Sequence, residues 1–148
     1  MTDIQAAIGI EQLKKLDWIV TERRKVAATY RNGLKDISCF RLPKEQKGDR
    51  SNYQSYPIYV KKECKWSRDQ IMNMLLTKGI TTRRGIMTCH REKAYQRLFS
   101  FNKLPVSEDM SDRSFLIPLF VPMIENDINW MIKSIIMLSR KTLPFAGK

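Results

Sequence analysis

Residues Thr2 to Leu34, TDIQAAIGIEQLKKLDWIVTERRKVAATYRNGL, decide how the rest of the chain is read. Thr2 followed by Gln5 has the spacing of a capping box, in which a hydroxyl and an amide satisfy backbone N–H groups that the first helical turn leaves free. Leu13, Leu16, Val20, Ala27, Tyr30 and Leu34 then recur at steps of three, four and seven, which draws one apolar stripe along a helix. Lys14, Lys15, Asp17, Glu22, Arg24, Lys25 and Arg31 fall mostly away from that stripe, as a solvated face would. The pattern predicts one long helix ending at Leu34.

Its first two turns are unlike the rest. Ile4, Ala6, Ala7, Ile8, Gly9 and Ile10 leave almost no polar side, and a helix that is apolar all round is normally buried all round. A helix of about 33 residues spans about 50 Å, whereas a globule of this chain length is about 40 Å across. The helix overhangs its own domain. Its front end is therefore expected to dock on another body, either a second copy or a domain outside this chain. The competing expectation is a break near Gly9, where glycine costs ~1 kcal/mol of helix propensity, with the front turns folding back.

The 148 residues, 43% hydrophobic and 28% charged, suit one globular domain. No run approaches the roughly 20 apolar residues of a bilayer span, and the front lacks the basic-then-apolar layout of a signal peptide. A cytoplasmic protein with no membrane contact is expected. Cys39, Cys64 and Cys89 are widely spaced with no C-x-x-C pair, which predicts reduced thiols in or near the core rather than a disulfide framework or a metal site. The 27 Lys and Arg against 15 Asp and Glu leave a net charge of +12, enough to draw anionic partners at long range. Nucleic acid and phosphorylated small molecules both answer to that description. The basic residues are scattered, with small knots at Arg23-Arg24-Lys25, Lys61-Lys62 and Arg83-Arg84, and no helix-turn-helix, zinc-finger or RNA-binding signature accompanies them.

Beyond the helix, Asp36 to Pro43 reads as a short strand around Cys39, Phe40 and Leu42, and Lys44 to Asn52 as a polar loop. Tyr53 to Val60 is strand-like, with Pro57 arguing for an edge or a bulge. Ser67 and Gln70 repeat the capping-box spacing before Ile71, Met74 and Leu75, until Gly79 stops that helix. Ile80 to Met87 looks like a strand carrying Arg83, Arg84 and Gly85 out to a loop that ends in His90. Ala94, Tyr95 and Leu98 suggest a brief helical piece, and Pro105 ends the next loop. Ser107 to Arg113 reads as a short helix and Phe115 to Phe120 as a buried strand broken by Pro118 and closed by Pro122. Glu125 to Arg140 is the last helix, with Ile128, Met131, Ile132, Ile135 and Leu138 inward. The fold class is α/β (α+β-like), a small mixed sheet covered by helices with a long helix in front.

Arg83-Arg84-Gly85 with His90 is the one concentrated polar constellation in an apolar neighbourhood. Guanidinium groups give bidentate, always-charged contacts to phosphate or carboxylate, and a glycine lets a ligand approach the backbone. The plainer expectation is two arginines facing solvent at a strand end. Cys89 and His90 do not form a nucleophile and base, because neighbours on an extended chain point opposite ways. Glu108, Asp109 and Asp112 read as favourable charges in the first turn of a helix. No Gly-rich phosphate loop, paired-carboxylate site or Ser/His/Asp set stands out.

Three stretches in this order, MTDIQAAIGIEQLKKLD, TKGITTRRGIMTCHREKAYQRL and LPVSEDMSDRSFLIPLFVPM, resemble the C-terminal part of the DegT/StrS sugar aminotransferases. The resemblance runs from Met1 to about Leu138. It implies the small domain of the type I aminotransferase fold, from dimeric enzymes that use pyridoxal phosphate to move an amino group from glutamate onto a nucleotide-linked keto sugar. It also implies what is missing. The family's Schiff-base lysine and the residues that hold the pyridoxal ring lie in the larger domain, upstream of the segment matching Met1, so no catalytic or cofactor-binding residue carries over. Thr82, Arg83, Arg84, Gly85, Ile86 and His90 match a stretch near the nucleotide-sugar pocket, where the arginines would meet diphosphate or sugar oxygens. Tyr95 matches an aromatic position just beyond, suited to core packing or ligand contact. The chain is then a fragment, from a shortened reading frame, a split gene or an excised domain, inactive and without cofactor when alone. The alternatives are a basic nucleic-acid-binding module and a partner that docks on an intact aminotransferase.

Overall fold

The computed structural model describes residues 1–95, 97 and 103–140. The expected front helix is two helices, α1 (Asp3–Leu13) and α2 (Leu16–Leu34). The capping box forms at Thr2 and Gln5 with both of its bonds. The break falls at Lys14 and Lys15 rather than at Gly9, whose surroundings are open. Lys14 N–H still reaches Ile10 O at 3.3 Å, but Lys15 N–H turns to Gln12 O at 3.1 Å, a tighter 3₁₀ step after which the helix restarts. Both lysines keep helical dihedrals, so neither residue type announces the break. α1 buries none of its residues, so no packing enforces continuity across it.

The stripe is corrected in the same way. Leu13 and Leu16 are exposed, and the core face of α2 consists of Val26, Ala27, Tyr30 and Leu34. Strand β1 is only Phe40–Arg41, shorter than the expected Asp36 to Pro43, and β2 is Tyr56–Val60. Tyr53 stands before the strand with φ of 42°, its hydroxyl accepting from Arg31 at 2.9 Å. β1 pairs with β2 only at Phe40 with Val60 and Arg41 with Tyr59. No β1 residue faces Pro57, where the ring has no N–H to give.

Helix α3 (Arg68–Leu76) opens on the expected Ser67 and Gln70 capping box. It closes on Gly79, with φ of 77°. Ile80 N–H returns to Leu75 O and Gly79 N–H to Leu76 O, the two bonds of a Schellman motif that only a left-handed residue closes cheaply. Strand β3 is Arg83–Arg84, α4 is Pro105–Arg113, β4 is Ser114–Ile117 and α5 is Glu125–Arg140. Pro105 begins α4 rather than ending a loop, since its missing N–H is one the first turn leaves unbonded. β4 stops before Pro118, so the expected strand to Phe120 is cut short. Of the expected helical piece at Ala94, Tyr95 and Leu98, the last lies outside the described residues.

The strands lie in the order β1-β2-β4-β3. All three pairings are antiparallel, where the element order had suggested a mixed sheet, because alternation of helices and strands does not determine strand direction. Both edge strands are two residues long, which leaves little open ladder for another chain to pair with. Tyr56, Ile58, Val60, Phe115 and Ile117 turn one face of the sheet to the core. The helices on that face bring Tyr30, Leu34, Ile71, Leu75, Met131 and Ile135. Ile132 of the predicted inward set is half-buried, and it sits where α2 and α5 cross: a Cβ on Gly33 would lie 2.8 Å from it. The opposite face carries Pro57, Tyr59 and Leu116 and meets α4.

Candidate functional site

The residues singled out in the sequence converge on one region, the segment that leaves β3 and runs over α4. Arg83 pairs with Leu116 and Arg84 with Phe115 across the sheet. Phe115 is fully buried on the core face and Leu116 lies on the other, and residues paired across strands share a face. The two guanidinium groups are therefore on opposite sides of the edge strand. Both arginines are exposed, and neither guanidinium group has a hydrogen bond or ion pair among the described residues. A ligand at the strand edge could meet both, and one lying on either face meets one.

Gly85 has a structural duty. Its N–H donates to Ser114 O at 3.1 Å, and a Cβ there would lie 2.9 Å from the Ser114 Cβ and closer still to its Oγ. The glycine allows β3 to press against the start of β4. Ile86 is exposed, with its carbonyl accepting from Ser111 Oγ of α4 at 2.8 Å. Thr82 is half-buried and Tyr95 is exposed rather than packed in the core.

His90 sits in a 3₁₀ turn, Cys89–Arg91. Its Nε2 lies 3.0 Å from Glu108 Oε1, and the side chain is 9% exposed. Glu108 is the hub of this corner: it also accepts from Leu104 N–H at 2.9 Å and from Arg91 at 3.2 Å. Arg91 donates a second bond to Asp112 at 2.6 Å. The Leu104 N–H, His90 and Arg91 together hold the Glu108 carboxyl below the usual carboxylate range. Asp109 on the next position accepts from Tyr59 at 2.6 Å and from Arg113 at 3.1 Å, and the Tyr59 bond foremost depresses it. α4 is thus pinned to the sheet by Asp109 and to the loop by Glu108, Ser111 and Asp112. The sequence showed these acids only as first-turn charges, because their partners Arg91 and Tyr59, outside α4, lie 17 and 50 residues away along the chain.

The three cysteines are free. Burial and a hydrogen bond with Cys64 push the Cys39 thiol up to about 12, while Cys89 is exposed. Among the described residues no group of His, Cys, Asp and Glu is arranged to hold a metal, and no helix is long and apolar enough to cross a membrane.

The cavity at His90 is lined by Ile86, Met87, Thr88, Cys89, Leu104 and Ser107 and presents no lysine. Lysines with a partner serve the surface, as Lys25 with Glu22 and Lys78 over the Trp130 ring.

Several solved structures share this fold. A DegT DnrJ EryC1 StrS aminotransferase from Brucella abortus is 28% identical over 93% of this chain and 36% of its own, with a TM-score of 0.78. The putative sugar aminotransferase Spr1654 from Streptococcus pneumoniae, in its PLP-form, is 21% identical over 97% of this chain and 37% of its own, with a TM-score of 0.85. DesI in the presence of its TDP-sugar product is 22% identical over 95% and 36%, with a TM-score of 0.84. The chain therefore spans little more than a third of the proteins it matches. The family model for DegT/DnrJ/EryC1/StrS aminotransferases matches residues 1–136. With the ordered motifs, the antiparallel sheet and nearly the whole described chain in register with that fold, the chain belongs to the DegT/DnrJ/EryC1/StrS aminotransferase family.

Proposed function

We propose that this chain is the C-terminal part of a pyridoxal-phosphate-dependent aminotransferase acting on nucleotide-linked keto sugars, and that it is inactive alone. The observation that carries the reading is the family match over residues 1–136 by a chain that covers only 36% of DesI. The cofactor and its lysine then belong to the remaining two thirds of the family's fold. DesI, seen with its TDP-sugar product, supports a nucleotide sugar as the ligand class, and the PLP-form of Spr1654 supports the cofactor. This chain contributes the edge strand with Arg83 and Arg84 and the clamped segment from Gly85 to His90. The unpaired arginines supply charge for a diphosphate, and α4 holds the segment in place. The exposed apolar front, Ile4, Ile8 and Ile10 of α1 with Leu13, is the surface that the large domain or a second copy covers, and a homodimer is the expected assembly.

Mixing the purified chain with a separately purified large domain of a relative tests this. The chain alone is expected to show no stoichiometric lysine-linked cofactor absorbance and no transamination, and the mixture to recover both. Cofactor bound covalently at one equivalent to the chain alone overturns the proposal.

A further inference from the structure

We propose that Glu108 is a positioning residue that holds the His90 imidazole with its proton on Nε2, so that Nδ1 is offered as a hydrogen-bond acceptor to a ligand hydroxyl. The inference rests on the reading that this segment lies beside the nucleotide sugar, and it adds what His90 recognises there. Glu108 Oε1 is 3.0 Å from His90 Nε2 and also accepts from Leu104 N–H at 2.9 Å, while Oε2 takes Arg91 at 3.2 Å. A carboxylate already taking a backbone N–H from Leu104 and a guanidinium from Arg91 stays ionised, and an ionised carboxylate has no proton to give. The ring nitrogen facing it must therefore be the N–H. No hydrogen bond reaches Nδ1 among the described residues, although the ring lines a cavity of about 360 Å³ between Ile86, Met87 and Leu104. A neutral imidazole with one nitrogen committed has one function left, acceptance at the other. Anions are left to Arg83 and Arg84, and the histidine selects a donor such as a sugar hydroxyl.

His90 is the sole histidine, so nitrogen-15 labelling of histidine reports this ring alone. At a pH where the ring is neutral, proton–nitrogen correlation of the chain is expected to show Nε2 protonated and Nδ1 bare, as a single tautomer. In Glu108→Gln the amide can accept or donate, so the ring is expected to divide between both tautomers, with circular dichroism confirming that the fold remains. A proton on Nδ1 in the unaltered chain overturns the proposal, and that measurement requires no variant to fold. A single unchanged tautomer in Glu108→Gln overturns it as well. Adding a TDP-linked keto sugar to this chain mixed with the large domain of a relative is then expected to move the Nδ1 line and leave Nε2 in place. A sugar that binds by calorimetry but shifts neither ring nitrogen overturns the acceptor role and leaves the nucleotide-sugar reading intact. A sugar that shows no binding to that mixture overturns that reading, while the tautomer result stands on its own.

Discussion

Gly85 shows how a residue picked out for one reason is held by another. The sequence suggests a ligand near its backbone, and the structure also packs Ser114 tightly against it. Gly85→Ala is expected to destabilise the chain by about 1–3 kcal/mol, the usual range for overpacking, read as a lower urea midpoint. Adding Ser114→Gly should restore part of the loss, since it removes the two side-chain atoms that the new methyl meets most closely. The acids of α4 make a second prediction at this scale. Glu108 and Asp109 are held below their ordinary values of 4.5 and 3.8. A depressed carboxyl contributes stability above its ordinary value, and that contribution is lost as pH falls through the folded value. Stability is therefore expected to drop below about pH 4.5, and Glu108→Gln should lack part of the drop. Equal acid sensitivity in both proteins would refute the role given to this ion pair.

Among the elements, α1 is the one whose formation and packing part company. Its capping box and helix formers suffice to make the helix, yet Ile4 is 75% and Ile8 58% exposed. Burying such side chains is worth about 1.5–3 kcal/mol each, a gain this chain does not collect from them. Ile4→Ser with Ile8→Ser should leave the melting temperature almost unchanged and make the isolated chain more monomeric in sedimentation. A collapsed melt with unchanged association would show those side chains to be packed within the domain. The break at Lys14 and Lys15 sharpens the expectation, because it separates α1 from the part of α2 that anchors in the core.

For the whole molecule, the net charge of +12 and the apolar front make opposite demands on salt. Attraction to a polyanion is screened as salt rises, whereas association through buried apolar area is not. Self-association of the chain is expected to persist at raised ionic strength, while retention on heparin falls. Self-association that disappears with salt would mean that charge, not α1, joins the copies.

The elements that came directly from the sequence are those made by neighbours in the chain. Ser67 and Gln70 cap α3, Gly79 ends it, and the inward positions of α5 follow helical spacing. Local bonds and one-dimensional periodicity are enough for these. The concentration of polar residues in an apolar stretch likewise brought Arg83, Arg84 and His90 to notice before any geometry, and the family motifs matched the same stretch. Tertiary structure decided what those residues touch. The register of β3 on β4 put the two arginines on opposite faces, and the fall of α4 across the sheet gave His90 its carboxylate. It also left Leu13 and Leu16 outside the core. An apolar stripe records which side of a helix prefers burial, and only the partner's position determines where along the helix that burial begins.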